Sequence, residues 1–173
     1  MKPNPVELVP HDPEWSRKYA KEVPILKGVF LENLVSLHHI GSTSIPGILA
    51  KPIIDILGAV KSLDEVDKVV GYLEELGFRA HGEMNIPGRR YFTRIDNSVH
   101  LHIFKEGDPQ LARHLTFCEF LIAHPEKAKA YEELKKQCAS KFADNSLKYA
   151  ESKTQFVRQM DEEAALWKES TCE

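Results

Sequence analysis

The run PIIDILGAV, residues 52 to 60, limits the fold more than any other stretch of this sequence. It is short, apolar, partly β-branched and opened by proline, which is the pattern of a strand rather than a helix. LVSLHHI, residues 34 to 40, has the same character, so two strands flank the connection GSTSIPGILAK. Inside the second strand stands Asp55. An ionised carboxylate buried there without a partner costs several kcal/mol, so Asp55 is paired, protonated, or set near a strand end facing a site. Period-2 alternation puts Ile53, Asp55 and Leu57 on one face and Ile54 and Ile56 on the other. Lys51, Arg90 or a backbone N–H would serve as a purely structural partner.

Around these strands the pattern is mixed. Asp12-Pro13 caps a helix, or a helix pair interrupted near Pro24, over residues 12 to 33. SLDEVDKVVGYLEELGF opens with Ser62-x-x-Glu65, carries apolar residues at helical spacing and stops at Gly77, which predicts one helix. Strands are expected near residues 78 to 81, 90 to 95 and 99 to 104, the last with Val99, Leu101 and Ile103 on one face and His100 and His102 on the other. Beyond Asp108-Pro109 everything is helical, roughly 108 to 123, 125 to 143 and 146 to 167. The expected fold is α/β of the α+β kind: a mixed β-sheet flanked by helices, with a C-terminal helical layer packed on the sheet.

A chain of 173 residues suits one domain, residues 1–173. The formal charge of -3 gives no net attraction to nucleic acid or to an anionic membrane. Cys118, Cys138 and Cys172 are odd in number and far apart, which excludes a disulfide framework or a zinc ribbon. With no apolar leader and no run of membrane-spanning length, a cytoplasmic location is expected.

Chemistry concentrates in a few places. Gly41, Ser42, Thr43 and Ser44 leave a strand and can turn N–H groups and hydroxyls toward a phosphate; a plain turn is the other reading. The spacing is not G-x-x-x-x-G-K-[ST], so this is no Walker A loop. His100 and His102 with Asp55 make a candidate open site for a divalent ion, while ordinary surface histidines are the alternative. Arg90, Phe92 and Arg94 alternate together; Arg90 offers a guanidinium to a phosphate or guards a solvated edge. Lys51 follows the loop and suits Asp55 or a phosphate. Lys153 falls between Tyr149 and Phe156 on one helical face, where it snorkels or reaches a ligand.

Taken in order, HIGSTSIPGILAKPIIDI, GRRYFTR, VHLHIF, FLIAHPEKAKAYEELK and YAESKTQF resemble the motif series of the GrpB-like protein family, over nearly the whole chain. That family is itself similar to the nucleotidyltransferase superfamily. The resemblance implies a nucleotidyltransferase-like fold, with Gly41-Ser42 at nucleotide phosphates and the following strand presenting metal-binding acids. Asp55 with His100 and His102 is then the expected catalytic and metal-binding set for Mg, Mn or Zn, the histidines serving in metal binding, acid/base work or contact with a phosphate. Gly41, Ser42, Thr43, Ser44, Lys51, Arg90 and Lys153 would hold a nucleoside triphosphate or another phosphorylated small molecule. One departure stands out, because the superfamily's loop is followed by two acids and this chain has Asp55-Ile56-Leu57. Each carboxylate at about 4 Å attracts a divalent ion by roughly 8 kcal/mol at an effective dielectric near 20, before desolvation. Three functions therefore stay open: nucleotidyl transfer, a nucleotide-binding module without turnover, and a metal-dependent hydrolase using the histidine pair.

Overall fold

The structure, a computed structural model, describes residues 6–171, so Cys172 lies outside the described residues. The chain packs into two compact units that it enters in turn. A sheet unit holds Asp12–Ser44 and Ile53–Ala112, and a helical unit holds the chain up to His11, Ile45–Pro52 and the chain from Arg113 onward.

In the sheet unit, α1 (Glu14–Phe30) starts where the Asp12 carboxylate accepts from the Glu14 N–H at 2.9 Å and runs unbroken through Pro24. Five strands follow: β1 (Leu34–Ile40), β2 (Ile54–Val60), β3 (Phe78–Ala80), β4 (Arg90–Arg94) and β5 (Val99–Lys105). They form one mixed sheet in the order β1-β2-β5-β4-β3, parallel only between β2 and β5. The register sets His39 opposite Ile56, Ile56 opposite Leu101, and Leu101 opposite Phe92, so these four share a face. Helices cover it: Tyr19 of α1 stacks on His39 at 5.2 Å, and Glu22 of α1 pairs with Arg94 at 2.8 Å. Ile56, Leu101 and Phe92 are accordingly buried.

The stretch after β2 departs from expectation. Ser62 caps it as the spacing predicts, its hydroxyl accepting from the Glu65 N–H at 3.3 Å, but the single helix is two, α2 (Leu63–Lys68) and α3 (Val70–Glu75). The chain leaves helical geometry at Val69, with φ -104° and ψ 8°. Val69, Val70 and Gly71 are three weak helix formers in a row, two β-branched and one glycine, so little local preference resists the break.

The helical unit contains α4 (Pro109–Ala123) from Arg113 on, α5 (Pro125–Lys141), α6 (Ser146–Ser152) and α7 (Thr154–Thr171). The predicted last helix is likewise divided, at Lys153. There the Ser152 hydroxyl donates to the Tyr149 carbonyl at 2.7 Å and the Thr154 hydroxyl to that of Ala150 at 3.4 Å. Such back-bonding competes with the helical ladder and bends it. The core gathers Ile45 and Ile48 from the Ile45–Pro52 insertion with Phe120, Leu121, Ala128, Tyr131, Met160 and Ala164. Among the described residues no helix is long and apolar enough to cross a membrane.

Gly71 sits inside α3 with ordinary φ and open space where a Cβ would stand. Gly71→Ala should therefore stabilise the protein by roughly 0.5–1 kcal/mol, read as a higher urea midpoint at unchanged m-value.

Candidate functional site

The site lies on the other face of the sheet. Asp55 lies opposite His100, and Leu57 opposite His102, on the parallel β2–β5 pair; Tyr91 and Thr93 of β4 lie opposite His102 and His100. All six side chains therefore leave the face of the sheet away from α1. Asp55 Oδ1 is 3.1 Å from His102 Nε2 and 3.8 Å from His100 Nδ1, and Asp55 keeps 29% of its side-chain surface in solvent. The acid is thus neither alone nor in a dry interior. Leu57 is fully buried, so no second acid stands in its place.

Gly41 bears directly on Asp55. Its φ is +74°, and a Cβ added there would lie 2.6 Å from Asp55 Oδ2. The glycine is thus required both by the backbone turn and by the carboxylate packed against it. The rest of the loop spends its polarity on itself. Ser42–Ser44 form a single 3-10 turn; the Ser44 hydroxyl donates to the Gly41 carbonyl at 2.6 Å, and buried Thr43 bonds His39 Nε2 through its hydroxyl at 2.9 Å. Thr43 and Ser44 thus close the turn with the hydroxyls expected to meet a phosphate, and only half-buried Ser42 retains one without such a partner among the described residues.

Two residues outside the expected set complete the constellation. Arg89, 8% exposed, donates from Nε to the Glu83 carbonyl at 3.1 Å, from Nη2 to the Met84 carbonyl at 2.9 Å, and from Nη1 to His102 Nδ1 at 3.4 Å. Burial lowers its pKa, yet a guanidinium remains charged. The Tyr91 ring lies 4.6 Å from the Arg89 guanidinium, 5.1 Å from the His102 ring and 5.7 Å from the His100 ring. Burial, reinforced by the Asp55 charge and partly offset by Arg89, pushes its phenol up to about 12, so it stays a proton donor.

Arg90 lies on the other face by the same alternation. It shares the helix-covered face with Phe92 and forms a forked pair with Asp67 of α2, Nε to Oδ1 at 2.7 Å and Nη2 to Oδ2 at 3.1 Å. This pairing holds the Asp67 carboxyl below its ordinary range. A buried Phe92 marks the core face, so the sequence already implied that Arg89 and Tyr91, the neighbours one step out of phase, point with the histidines.

The metal expectation meets a donor set already engaged. His102 has Asp55 at one ring nitrogen and Arg89 at the other, and His100 Nε2 lies 3.0 Å from Asn97 Oδ1. Among the described residues, no three His, Cys, Asp or Glu side chains are arranged to hold a metal ion. With these contacts in place, the residues present do not fit a two-histidine, one-carboxylate centre.

In the helical unit, the other expected cations lie around two tyrosines. Lys51 Nζ is 5.3 Å from the Tyr149 ring centre, and Lys153 Nζ is 4.5 Å from it and 5.9 Å from that of Tyr131. A third lysine, Lys135, was hidden in the run KK of an amphipathic helix; its Nζ lies 4.9 Å from the Tyr131 ring and only 1% of the residue is exposed. Lys135 donates to the Leu49 carbonyl, while Glu132, one turn earlier, accepts from the Leu49 N–H at 2.6 Å. The two side chains of α5 thus grip one peptide residue of the insertion from both sides. Burial drives the Lys135 pKa down to about 7; repulsion from Lys153 and Lys51 adds to this and Glu132 opposes it.

Residues 5–163 match the model of the family described as GrpB protein. The chain belongs to the GrpB family. The UPF0157 protein YqkA of Bacillus subtilis is 39% identical over 165 residues, which cover 94% of this chain and 48% of that protein. This chain therefore spans about half the length of that relative. The glutamate-rich protein GrpB of Alkalihalophilus pseudofirmus is 36% identical, covering 88% of this chain and 91% of that one. The crystal structure of conserved protein GrpB from Enterococcus faecalis superposes with a TM-score of 0.87 at 35% identity, over 91% of this chain and 96% of that chain.

Two outcomes check this geometry. Gly41→Ala should lose roughly 1–3 kcal/mol of stability, measured by urea denaturation, because the new methyl meets Asp55 and the backbone keeps a positive φ. For Lys135, the folded pKa near 7 lies below the ordinary 10.5, so between these values the unfolded chain binds more protons. Stability should then rise with pH across that window, by at most about 1.4 kcal/mol per unit. Lys135→Met should flatten this rise in denaturation curves at pH 7 and 9.

Proposed function

We propose that this protein binds a phosphorylated small molecule, nucleoside triphosphates included, through Lys51 and Lys153 beside the buried Lys135, and that it holds this ligand without two-metal nucleotidyl transfer. The observation that carries the reading is the crowding of three ammonium groups around Tyr131 and Tyr149, close enough to help depress the pKa of Lys135. Like charges assembled in a partly desolvated place repel, and an anion with several oxygens relieves that repulsion while accepting charge-assisted hydrogen bonds. Phosphate groups have the charge density for this.

Nucleotidyl transfer, which the motif resemblance suggests, has its own support in Asp55, a solvent-touching carboxylate beside Gly41. It needs further acids to hold two ions between attacking and leaving oxygens. Leu57 supplies none, and His102 already serves Asp55 and Arg89. Hydrolysis at the histidine pair meets the same obstacle. The chain keeps the strand that would bear the chemistry but carries one acid on it.

ATP, GTP, UTP, CTP and inorganic triphosphate should each be screened by thermal shift, with and without Mg or Mn. At least one should raise the melting temperature, and EDTA should leave the effect intact. Lys51→Ala and Lys153→Ala should each weaken that ligand about tenfold or more, the size of a lost charge-assisted contact. No stabilisation by any phosphorylated ligand would end this reading. Release of pyrophosphate or a nucleotidylated product, detected by mass spectrometry, would replace the binding module with the transferase.

A further inference from the structure

His100 and His102 look alike in sequence, an H-x-H pair on one strand face, but their ring nitrogens meet different chemistry. His102 Nδ1 faces Arg89 Nη1 at 3.4 Å and Nε2 faces Asp55 Oδ1 at 3.1 Å. A guanidinium has N–H donors only and cannot give up its proton in a protein. The nitrogen that it meets must therefore supply a lone pair. An imidazole with its lone pair on Nδ1 carries its hydrogen on Nε2, and that nitrogen points at a carboxylate oxygen, which accepts.

We propose that Arg89 is a positioning residue that locks His102 in the Nε2–H tautomer, making His102 a hydrogen-bond donor to Asp55 and withholding it from any metal ion. A metal ligand needs a free lone pair on one ring nitrogen. In this arrangement the Nδ1 lone pair is taken by Arg89 and the Nε2 position carries a hydrogen. The two partners thus leave a single tautomer consistent with both contacts. Arg89 is itself held for the task by the carbonyls of Glu83 and Met84 and by the face of Tyr91. Its burial leaves the guanidinium little freedom to turn away. His100 meets different groups. Its Nε2 faces the Asn97 side-chain oxygen at 3.0 Å, and its Nδ1 stands 3.8 Å from Asp55, beyond hydrogen-bonding distance.

The consequence for the site is a definite division of labour. Asp55 receives a fixed donor on Oδ1 from His102, which orients the carboxylate against Gly41. The H-x-H pattern then serves a carboxylate rather than an ion, and the arginine that makes it so lies in the loop before β4. This inference concerns the sheet unit alone and does not depend on phosphate binding at the lysines.

Histidine tautomers are read directly from two-bond proton–nitrogen correlation spectra of the full chain labelled with nitrogen-15 in histidine. His102 is assigned by comparison with His102→Gln. At neutral pH the wild-type protein should show the Nε2–H pattern for His102. A pattern with hydrogen on Nδ1, or on both nitrogens, would overturn the proposal without any further variant. Arg89→Met in the Asp55→Asn background, where neither partner compels a hydrogen on Nε2, should turn the His102 signal into a tautomer mixture, and Arg89→Lys in that background, which retains a cationic donor, should restore the single pattern. Because Arg89→Met removes a buried group and can fail to fold, Asp55→Asn provides a second test. The side-chain oxygen of asparagine still accepts, so the pattern should persist if Arg89 sets the tautomer; loss of it would assign the lock to Asp55 instead. One equivalent of zinc should leave the His102 signals of the wild-type protein unmoved, and a zinc-dependent shift would overturn the exclusion of metal.

Discussion

The parallel pairing of β2 with β5 is the constraint on which the site depends. Its register sets Asp55 beside His100 and Leu57 beside His102, and because side chains alternate strictly, a slip of one residue would exchange every one of them for its neighbour on the other face. Apolar burial fixes that register. Ile54, Ile56, Val99, Leu101 and Ile103 are all essentially buried, and only one alignment keeps them together on the side that α1 covers. The polar constellation is thus a by-product of hydrophobic sorting: whatever stands out of phase with the core residues is delivered to the opposite face.

Four cations are stabilised in three ways. Arg90 and Arg94, on the helix side, receive carboxylates from Asp67 and Glu22. Arg89, on the site side, is held mainly by backbone carbonyls and an aromatic face, which lets its remaining N–H groups act on a neighbour. Lys135 is buried with a carbonyl and a ring for company, and it yields part of its proton affinity. Lysine can do so because its ammonium is a compact, strongly hydrated charge that loses much on burial, whereas guanidinium is weakly hydrated and stays ionised. The same net charge in the sequence therefore carries very different chemistry at each position.

Glu132 and Lys135 give the Ile45–Pro52 insertion an anchor. One residue, Leu49, has its N–H and its carbonyl satisfied by two side chains a turn apart on α5. An irregular segment buried among helices would otherwise leave backbone polar groups without partners, at a cost comparable to lost hydrogen bonds. Charged side chains here stand in for the ladder that a strand would have provided, and Ile45 and Ile48 are thereby held in the core.

Much of this was legible beforehand. The five strands, α1, the Ser62 cap and the alternation of His100 and His102 against Val99, Leu101 and Ile103 follow from local pattern, because periodicity and capping are properties of a few adjacent residues. The breaks at Val69 and Lys153 were present as β-branched, glycine and hydroxyl residues, but their sum against helical pattern is close to balance and packing tips it. Alternation groups Arg90 with its companions Phe92 and Arg94 but does not reveal its partner Asp67, since it tells which residues share a face and is silent on what covers that face. Arg89, Tyr91 and Lys135 are ordinary in sequence for the same reason: each acquires its role from partners on other segments, Arg89 and Tyr91 across a turn and the neighbouring strand, Lys135 from Leu49 far away in the chain. The amino-acid order by itself determined which side chains travel together. Only the tertiary structure decided which of them meet, because hydrogen bonds and burial are made in space between segments that local chemistry does not connect.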